Sequence, residues 1–212
     1  MINDTTMSVY ESVRDDIFGL HIRWQIYKEL FTDSDNVDNL LLGKIKVVFG
    51  VFENLLFDDG ILTLHRLIID KAKTSGKENS NLDQLISMLS SDPNYSNLAD
   101  SLRQKLDALR KKCENIGLYR HKAIGHSDLN LALLKASSAH PERNVMTTPF
   151  TLKDVPIGDI DNTLQLLEKF MNEIENSLSI NQFQYKLIPM PPDTNVLIRL
   201  LTDALNREES DS

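Results

Sequence analysis

A short stretch near the middle of the chain concentrates side chains that can handle a phosphate and a proton. The stretch reads YRHKAIGHSD, and its candidates are Arg120, His121, Lys122 and His126. A guanidinium offers a permanent charge and a fork of donors suited to phosphate oxygens. Histidine is the side chain most easily poised to exchange a proton near neutral pH. Together they are the minimum for metal-free RNA cleavage, in which a base takes the ribose 2′-hydroxyl proton, that oxygen attacks the adjacent phosphate, and a cation stabilises the intermediate.

The spacing of Arg120 and His126 sets a geometric condition on this chemistry. Six residues correspond to about 600° around an ideal α-helix, so the two side chains do not share a face. They converge only if the helix ends or bends between them, and Gly125 offers a place for that. An arginine and a histidine at this spacing also occur by chance in helical proteins, so a solvated helix end is the alternative interpretation.

Charge is unevenly distributed along the chain. The net charge of −8 argues against a protein that coats nucleic acid with its whole surface. Residues 101–126, however, contain seven basic residues against two acidic ones, a local charge of +5. We expect the following basic residues of this segment to contact RNA phosphates, although a solvated helix face explains them equally well: Arg110, Lys111, Lys112 and Lys122.

The composition is that of a soluble globular protein. Hydrophobic residues make up 41% and charged residues 25%, and no apolar run approaches the roughly 20 residues of a membrane span. The N-terminus is acidic and polar, unlike a targeting peptide, and the single cysteine fits a reducing compartment. We therefore expect a cytoplasmic protein with no membrane segment, made of one domain at 1–206 and a disordered acidic tail at 207–212.

Helical periodicity runs through most of the chain, with apolar residues recurring at spacings of three and four. The sequence predicts helices at about 7–31, 37–72, 80–90, 98–125 and 159–179, with a last one capped by Thr194. Prolines make 137–158 and 185–193 irregular, and KTSGKEN at 73–79 is predicted to be a loop. No strand alternation persists, so the predicted fold class is all-α.

Particular residues define the expected helix boundaries and core. Ser8 and Glu11 have the spacing of a capping box and are predicted to start the first helix. Gly60 is expected to kink or interrupt the second helix, because glycine costs roughly 1 kcal/mol relative to alanine there. Trp24 and Cys113 lie on apolar stripes, where packing is a better interpretation than chemistry.

Several enzyme classes lack their motifs. The sequence has no glycine-rich phosphate loop, no His-Glu-x-x-His and no Gly-x-Ser-x-Gly. Its five histidines do not cluster with carboxylates or cysteine at the spacing of metal ligands. We therefore expect neither a metal nor a cofactor.

Three stretches resemble the HEPN superfamily, and its AbiU-type branch in particular. HEPN ribonucleases have an arginine, a polar residue and a histidine four to six positions after the arginine, which correspond here to Arg120, His121 and His126. LHRLIID, at 64–70, is similar to the Arg-Leu-x-x-Asp segment of the AbiU type. GHSD, at 125–128, is similar to its Ala-His-Ser-Asp, with glycine in place of alanine. The resemblance covers roughly residues 5–205.

This resemblance implies a fold, an activity and partners. The fold would be a HEPN-like bundle of long antiparallel helices with additional short helices, paired as a homodimer whose two motifs face one cleft. Arg120 would bind the scissile phosphate, His126 would transfer protons and His121 would take the supporting polar position, without metal. Such an endoribonuclease would be a toxin or phage-defence effector, with RNA and an antitoxin protein as partners. The alternatives are a non-catalytic module that binds RNA, a nucleotide or a protein, and a motif that serves only a dimer interface.

Arg66 and Asp70, the charged residues of LHRLIID, are four positions apart. On a continuous α-helix they would form an ion pair worth a few tenths of a kcal/mol. We favour this structural interpretation over support of the site, and we assign no role to the neighbouring His65.

Overall fold

Helices account for nearly all of the chain that the computed structural model describes, which comprises residues 2–32, 46–74, 76–121, 157–185, 196–201, 203 and 207. The six helices with defined bounds are α1 (Asp4–Phe31), α2 (Lys46–Leu64), α3 (Leu82–Ser90), α4 (Ser96–Lys112), α5 (Glu114–Tyr119) and α6 (Ile157–Leu178). A π-helical turn, His65–Ile69, continues directly from α2. The prediction of an all-α fold is confirmed. The predicted loop at 73–79 contains a minimal antiparallel ladder of two-residue strands, β1 (Lys73–Thr74) and β2 (Lys77–Glu78).

The first helix begins earlier than its sequence signal suggested. Asn3 is the N-cap, and its side-chain oxygen accepts a hydrogen bond from the Thr6 amide at 2.8 Å. The predicted capping box is therefore wrong. Ser8 lies inside the helix, where its hydroxyl donates to the Asp4 carbonyl at 3.0 Å. The Asn3 cap satisfies a backbone amide that would otherwise lack a hydrogen-bond acceptor. The negative charge of Asp4 is attracted by the positive end of the helix dipole.

One face of α1 forms the centre of the core. Trp24, only 2% exposed, stacks on Tyr27 with the ring centroids 4.8 Å apart, which confirms a packing role for this tryptophan. Its indole nitrogen donates to Asp161 of α6 at 3.0 Å, and Lys28 forms an ion pair with the same carboxylate at 2.8 Å. These contacts fix α6 against α1. The helix also packs on α2 and α3.

The second helix passes through Gly60 without a break, so the predicted interruption is wrong. Ile61 and Leu64, which follow Gly60 in the same helix, are fully buried. Burying such a side chain stabilises the fold by about 1.5–3 kcal/mol, which exceeds the helix penalty of the glycine.

The basic helix ends before the point that the sequence suggested. It ends at Lys112, the amide of the following Cys113 donates hydrogen bonds to the carbonyls of both Leu109 and Arg110, and α5 starts at Glu114. Cys113 is fully buried, with its Sγ 3.7 Å from Thr163 Oγ1, and burial raises the pKa of its thiol. Its predicted packing role is confirmed.

A buried carboxylate fastens the segment after α6 to α1. Glu175 is 0% exposed, and its carboxylate accepts from the Tyr10 hydroxyl at 2.9 Å, the Tyr185 hydroxyl at 2.7 Å and the Phe183 amide at 3.0 Å. Burial and the hydrogen bond to this carboxylate raise the pKa of both tyrosines. Three donors satisfy an acceptor that would otherwise be very unfavourable in the core.

The outer face of α2 exposes an unusual number of large apolar side chains. They recur at helical spacing, and they are Val47, Val48, Val51, Phe52, Leu55 and Leu62. We call this set the α2 apolar face. None of the helices within the described ranges is both long and apolar enough to cross a bilayer.

Several predictions fall outside the described residues. They concern the beginning of the second helix before residue 46, Gly125 and the region to residue 156, the proline segment beyond Tyr185, the Thr194 cap and most of the tail.

Candidate functional site

A polar pocket of about 480 Å³ lies where α1, the end of α2, the π-helical turn and the end of α5 meet. Its lining is rich in arginine and aspartate, and consists of Asp16, Arg23, Asp59, Leu62, Thr63, His65, Arg66, Asp70 and Arg120. Arg120, the arginine of the HEPN-like motif, thus shares a pocket with both charged residues of LHRLIID. These parts are fifty or more residues apart in sequence.

The π-helical turn decides which side chains meet in the pocket. The Asp70 amide donates to the His65 carbonyl at 3.1 Å, an i to i+5 bond that widens the turn. Residues five apart would differ by about 140° on a continuous α-helix. Here the His65 Nδ1 atom lies 3.2 Å from Asp70 Oδ1. The histidine that the sequence interpretation set aside is therefore paired with Asp70.

Arg66 makes different contacts from those predicted. Its Nη2 lies 2.8 Å from Asp16 Oδ2 of α1, and its Nη1 donates to the Ser80 carbonyl at 3.1 Å. The predicted ion pair with Asp70 is therefore wrong, because the π-helical turn directs Asp70 to His65. Arg66 instead joins α1 to the segment that leads into α3.

Arg23 and Asp59 form a second ion pair at the pocket wall. The Arg23 Nε atom lies 2.6 Å from Asp59 Oδ2, and its Nη2 is 3.5 Å from Thr63 Oγ1. A Cβ at Gly19 would come within 3.0 Å of Arg23 Nη1, so a glycine leaves room for the guanidinium. The sequence interpretation missed both residues, and only the recurrence of Asp16, Gly19 and Arg23 at helical spacing could have signalled this side of α1.

Arg120 differs from the other two arginines of the pocket. It follows α5 directly and is partly buried, and within the described part of the chain its guanidinium forms neither an ion pair nor a hydrogen bond. Gly117 lets α5 lie close to the π-helical turn, since a Cβ there would be 3.3 Å from Ile69 Cδ1. Arg120 thereby enters the pocket as a cation that has no carboxylate partner among the described residues.

The environment of His65 favours its neutral form. Burial lowers the pKa of the imidazole, and the charge of Arg120 lowers it as well, while Asp70 opposes both effects. An aromatic base that stays neutral near pH 7 is able to accept a proton. No sequence signal distinguished this histidine from an ordinary helix residue.

The structure describes only two of the four predicted residues of the HEPN-like motif. Arg120 lies in the pocket and His121, next to it, is exposed. Lys122 and His126 lie outside the described residues, so the convergence of His126 with Arg120 remains a prediction.

The three predicted RNA contacts on α4 differ in their exposure to solvent. Lys111 and Lys112 are exposed in its last turn. The guanidinium of Arg110 already contacts other groups of the chain: its Nε donates to the Ile68 carbonyl at 2.8 Å, and its Nη2 lies 3.3 Å from Asp83 Oδ1. With a side chain only 17% exposed, Arg110 holds α4 on the π-helical turn, and its contact with RNA remains a prediction.

Among the described residues, three arginines and three aspartates line the pocket, and Arg23 and Arg66 are each neutralised by a carboxylate. The pocket's attraction for an anion therefore depends on Arg120. Among the described residues, no group of three or more histidines, cysteines or carboxylates is arranged to hold a metal ion.

The comparisons with known proteins give one match. The family model for AbiU2 HEPN domains matches residues 8–191, a range that includes every residue lining the pocket. No curated protein and no solved structure matches the chain.

Proposed function

The chain belongs to the AbiU2 family of HEPN domains, and we propose that it is a metal-independent endoribonuclease acting at a site shared by two copies of the chain. In the proposed reaction a base removes the 2′-hydroxyl proton and the 2′-oxygen attacks the adjacent phosphorus. The bond from phosphorus to the 5′-oxygen breaks, and an acid protonates that oxygen. The products are a 2′,3′-cyclic phosphate and a 5′-hydroxyl.

Arg120 carries this proposal. A partly buried cation without a carboxylate partner is unfavourable unless an anion completes its environment. The other two pocket arginines each have a carboxylate, whereas the Arg120 guanidinium faces a pocket and has no such partner among the described residues. A phosphate of the RNA backbone matches its forked donors. We assign phosphate binding to Arg120, proton transfer to His126 and the supporting polar position to His121.

The α2 apolar face supports pairing of two chains. Apolar patches of this kind mark interaction surfaces. Its last member, Leu62, also lines the pocket that contains Arg120. A second copy packed on this face would bring its own motif near the pocket edge, as a composite site requires. Lys111, Lys112 and Lys122 would contact the RNA backbone beyond it.

In its cellular role, the proposed enzyme acts in the cytoplasm as a toxin or phage-defence effector that an antitoxin protein holds in check. Family membership supports this role, and toxicity upon expression that is lost in Arg120→Ala would test it.

Removal of the Arg120 charge tests the proposed chemistry. We expect Arg120→Ala to lower the rate of RNA cleavage by about 100-fold or more, since deleting one transition-state donor typically has that effect. Arg103→Ala is the matched control, because Arg103 lies in the same basic segment but is not among the pocket residues. Equal loss in the two variants would point to general electrostatics, and unchanged cleavage by Arg120→Ala would remove Arg120 from the site.

The shared site has its own test. A heterodimer of Arg120→Ala with His126→Ala keeps one intact arginine and one intact histidine on different chains. We expect it to regain cleavage that neither homodimer retains. No regain would argue for a site completed within one chain.

A further inference from the structure

We propose that His65, held by Asp70, is the general base of the ribonuclease site and removes the 2′-hydroxyl proton of RNA bound at Arg120. This inference rests on the proposed function and adds a group to it. The LHRLIID segment would thus contribute chemistry as well as structure.

Asp70 orients the His65 imidazole. The Nδ1 atom of His65 lies 3.2 Å from Asp70 Oδ1, and this contact favours the neutral tautomer that carries its proton on Nδ1. Nε2 is then left with a lone pair. A carboxylate that fixes the tautomer and orientation of an imidazole is a recurrent way to prepare a histidine base.

The His65 imidazole is also accessible from the pocket. The His65 side chain is 15% exposed, and it lines the same pocket as Arg120. A substrate phosphate on the Arg120 guanidinium would occupy this pocket, with the ribose that bears the phosphate beside the imidazole.

A purely structural role does not account for the contact between His65 and Asp70 as well as a catalytic role does. The π-helical turn is already closed by the backbone bond from the Asp70 amide to the His65 carbonyl, so the side-chain pair is not needed for closure. Burial and Arg120 keep the imidazole neutral, so the pair also lacks the attraction of two full charges. Single π-helical turns are frequent at functional sites, where they reorient a side chain at a cost in helix stability.

The charged groups around His65 come from every element of the pocket. In the described part of the chain they are Asp16 and Arg23 of α1, Asp59 of α2, Arg66 and Asp70 of the turn segment, and Arg120 after α5. Arg23 and Arg66 are neutralised by carboxylates, which leaves Arg120 as the cation that depresses the pKa of His65. A bound phosphate neutralises Arg120, and the imidazole then becomes a stronger base. Substrate binding would thus activate the base.

The proton balance is complete with the groups already assigned. His65 Nε2 takes the proton of the 2′-hydroxyl as the new bond from the 2′-oxygen to phosphorus forms. The leaving 5′-oxygen receives its proton from His126, which makes the two histidines the base and the acid of one reaction. His65 ends the step protonated and returns its proton to solvent.

A substrate with sulfur in place of the bridging 5′-oxygen separates these two roles. A thiolate leaves without protonation, so this RNA relieves the need for an acid but not for a base. We expect His65→Gln to cleave both the normal and the sulfur-substituted RNA at least about 100-fold more slowly than the native protein. The sulfur should restore cleavage by His126→Ala. Restoration of His65→Gln would make His65 an acid instead, and native rates in His65→Gln would overturn the proposal.

Asp70→Asn provides a milder variant that keeps the imidazole and an acceptor for Nδ1. Asp70 raises the pKa of His65, so its removal should move the acidic limb of the kcat/KM profile to lower pH. In His65→Gln this limb should vanish. A limb that stays in place in Asp70→Asn would contradict the dyad, because a merely structural pair would leave it unmoved. His21→Gln is the control, since His21 lines a different pocket.

Failure of this inference is distinguishable from failure of the proposed function. Cleavage that needs His126 and Arg120 but is unchanged in His65→Gln would leave the ribonuclease proposal standing and remove only the base. A readout without turnover also exists, because the NMR titration of His65 can be followed with an RNA that is 2′-deoxy at the scissile position. The pKa of His65 should rise when this RNA binds to the native protein and should not respond in Arg120→Ala. Equal values with and without RNA in the native protein would overturn the inference.

Discussion

Replacing Arg66 by alanine removes two contacts that hold three segments of the chain around the pocket. The ion pair with Asp16 involves side chains that are 39% and 32% exposed, so solvent screening limits it to about 0.5–1 kcal/mol. The hydrogen bond to the Ser80 carbonyl has a charged donor and contributes roughly 1.5 kcal/mol. We therefore expect Arg66→Ala to lower the free energy of unfolding by about 2 kcal/mol in urea denaturation.

A double-mutant cycle identifies the partner of Arg66. We expect a coupling energy of about 0.5–1 kcal/mol between Arg66→Ala and Asp16→Ala, which should weaken in high salt. The coupling between Arg66→Ala and Asp70→Ala should stay within about 0.3 kcal/mol of zero. Asp15→Ala controls for the loss of one negative charge at the same part of α1, where Asp15 pairs with Arg14. A larger coupling to Asp70 than to Asp16 would refute the π-helical arrangement of the pocket.

Three further predictions concern the framework of the site. Glu175→Gln should lower the free energy of unfolding by about 2 kcal/mol, because the amide nitrogen leaves a buried donor unsatisfied. The control Glu11→Gln, at an exposed position, should change it by less than about 0.5 kcal/mol. Equal urea midpoints for the two variants would contradict the buried cluster around Glu175. Cys113 should resist a thiol reagent in the native protein and react fully in denaturant, because burial raises its pKa; rapid native reaction would show that it is accessible. Arg110→Ala should lower the free energy of unfolding by about 2 kcal/mol through the loss of its contacts with Ile68 and Asp83, whereas Lys111→Ala, at an exposed position, should not. An Arg110→Ala variant that is as stable as the native protein but binds RNA more weakly would instead support a contact between Arg110 and RNA.

Much of the fold was predictable from apolar periodicity. Trp24 and Cys113 occupy the buried faces that their spacing indicated, and α6 lies within two residues of its predicted bounds. Helix starts were less predictable, because Ser8 and Asn3 both satisfy cap chemistry and only packing selects between them. Gly60 was misjudged because local propensity does not include the burial of its neighbours.

The candidate site was predictable only in its motif residue. Arg120 was identified by its place in the HEPN-like pattern, and it lies in the pocket. His65 and Asp70 were misinterpreted because residue types do not reveal an i to i+5 closure, and a continuous α-helix would have pointed them apart. Asp16, Arg23 and Asp59 come from distant parts of the chain, so only tertiary packing brings them to the site.

The most direct test of the central claim is incubation of the purified protein with total cellular RNA in EDTA, beside His126→Ala. We expect cleavage by the native protein alone, with 2′,3′-cyclic phosphate and 5′-hydroxyl ends. Intact RNA in both samples would contradict the ribonuclease assignment and favour a module that binds without cutting. Equal cleavage in both samples would contradict the role of His126.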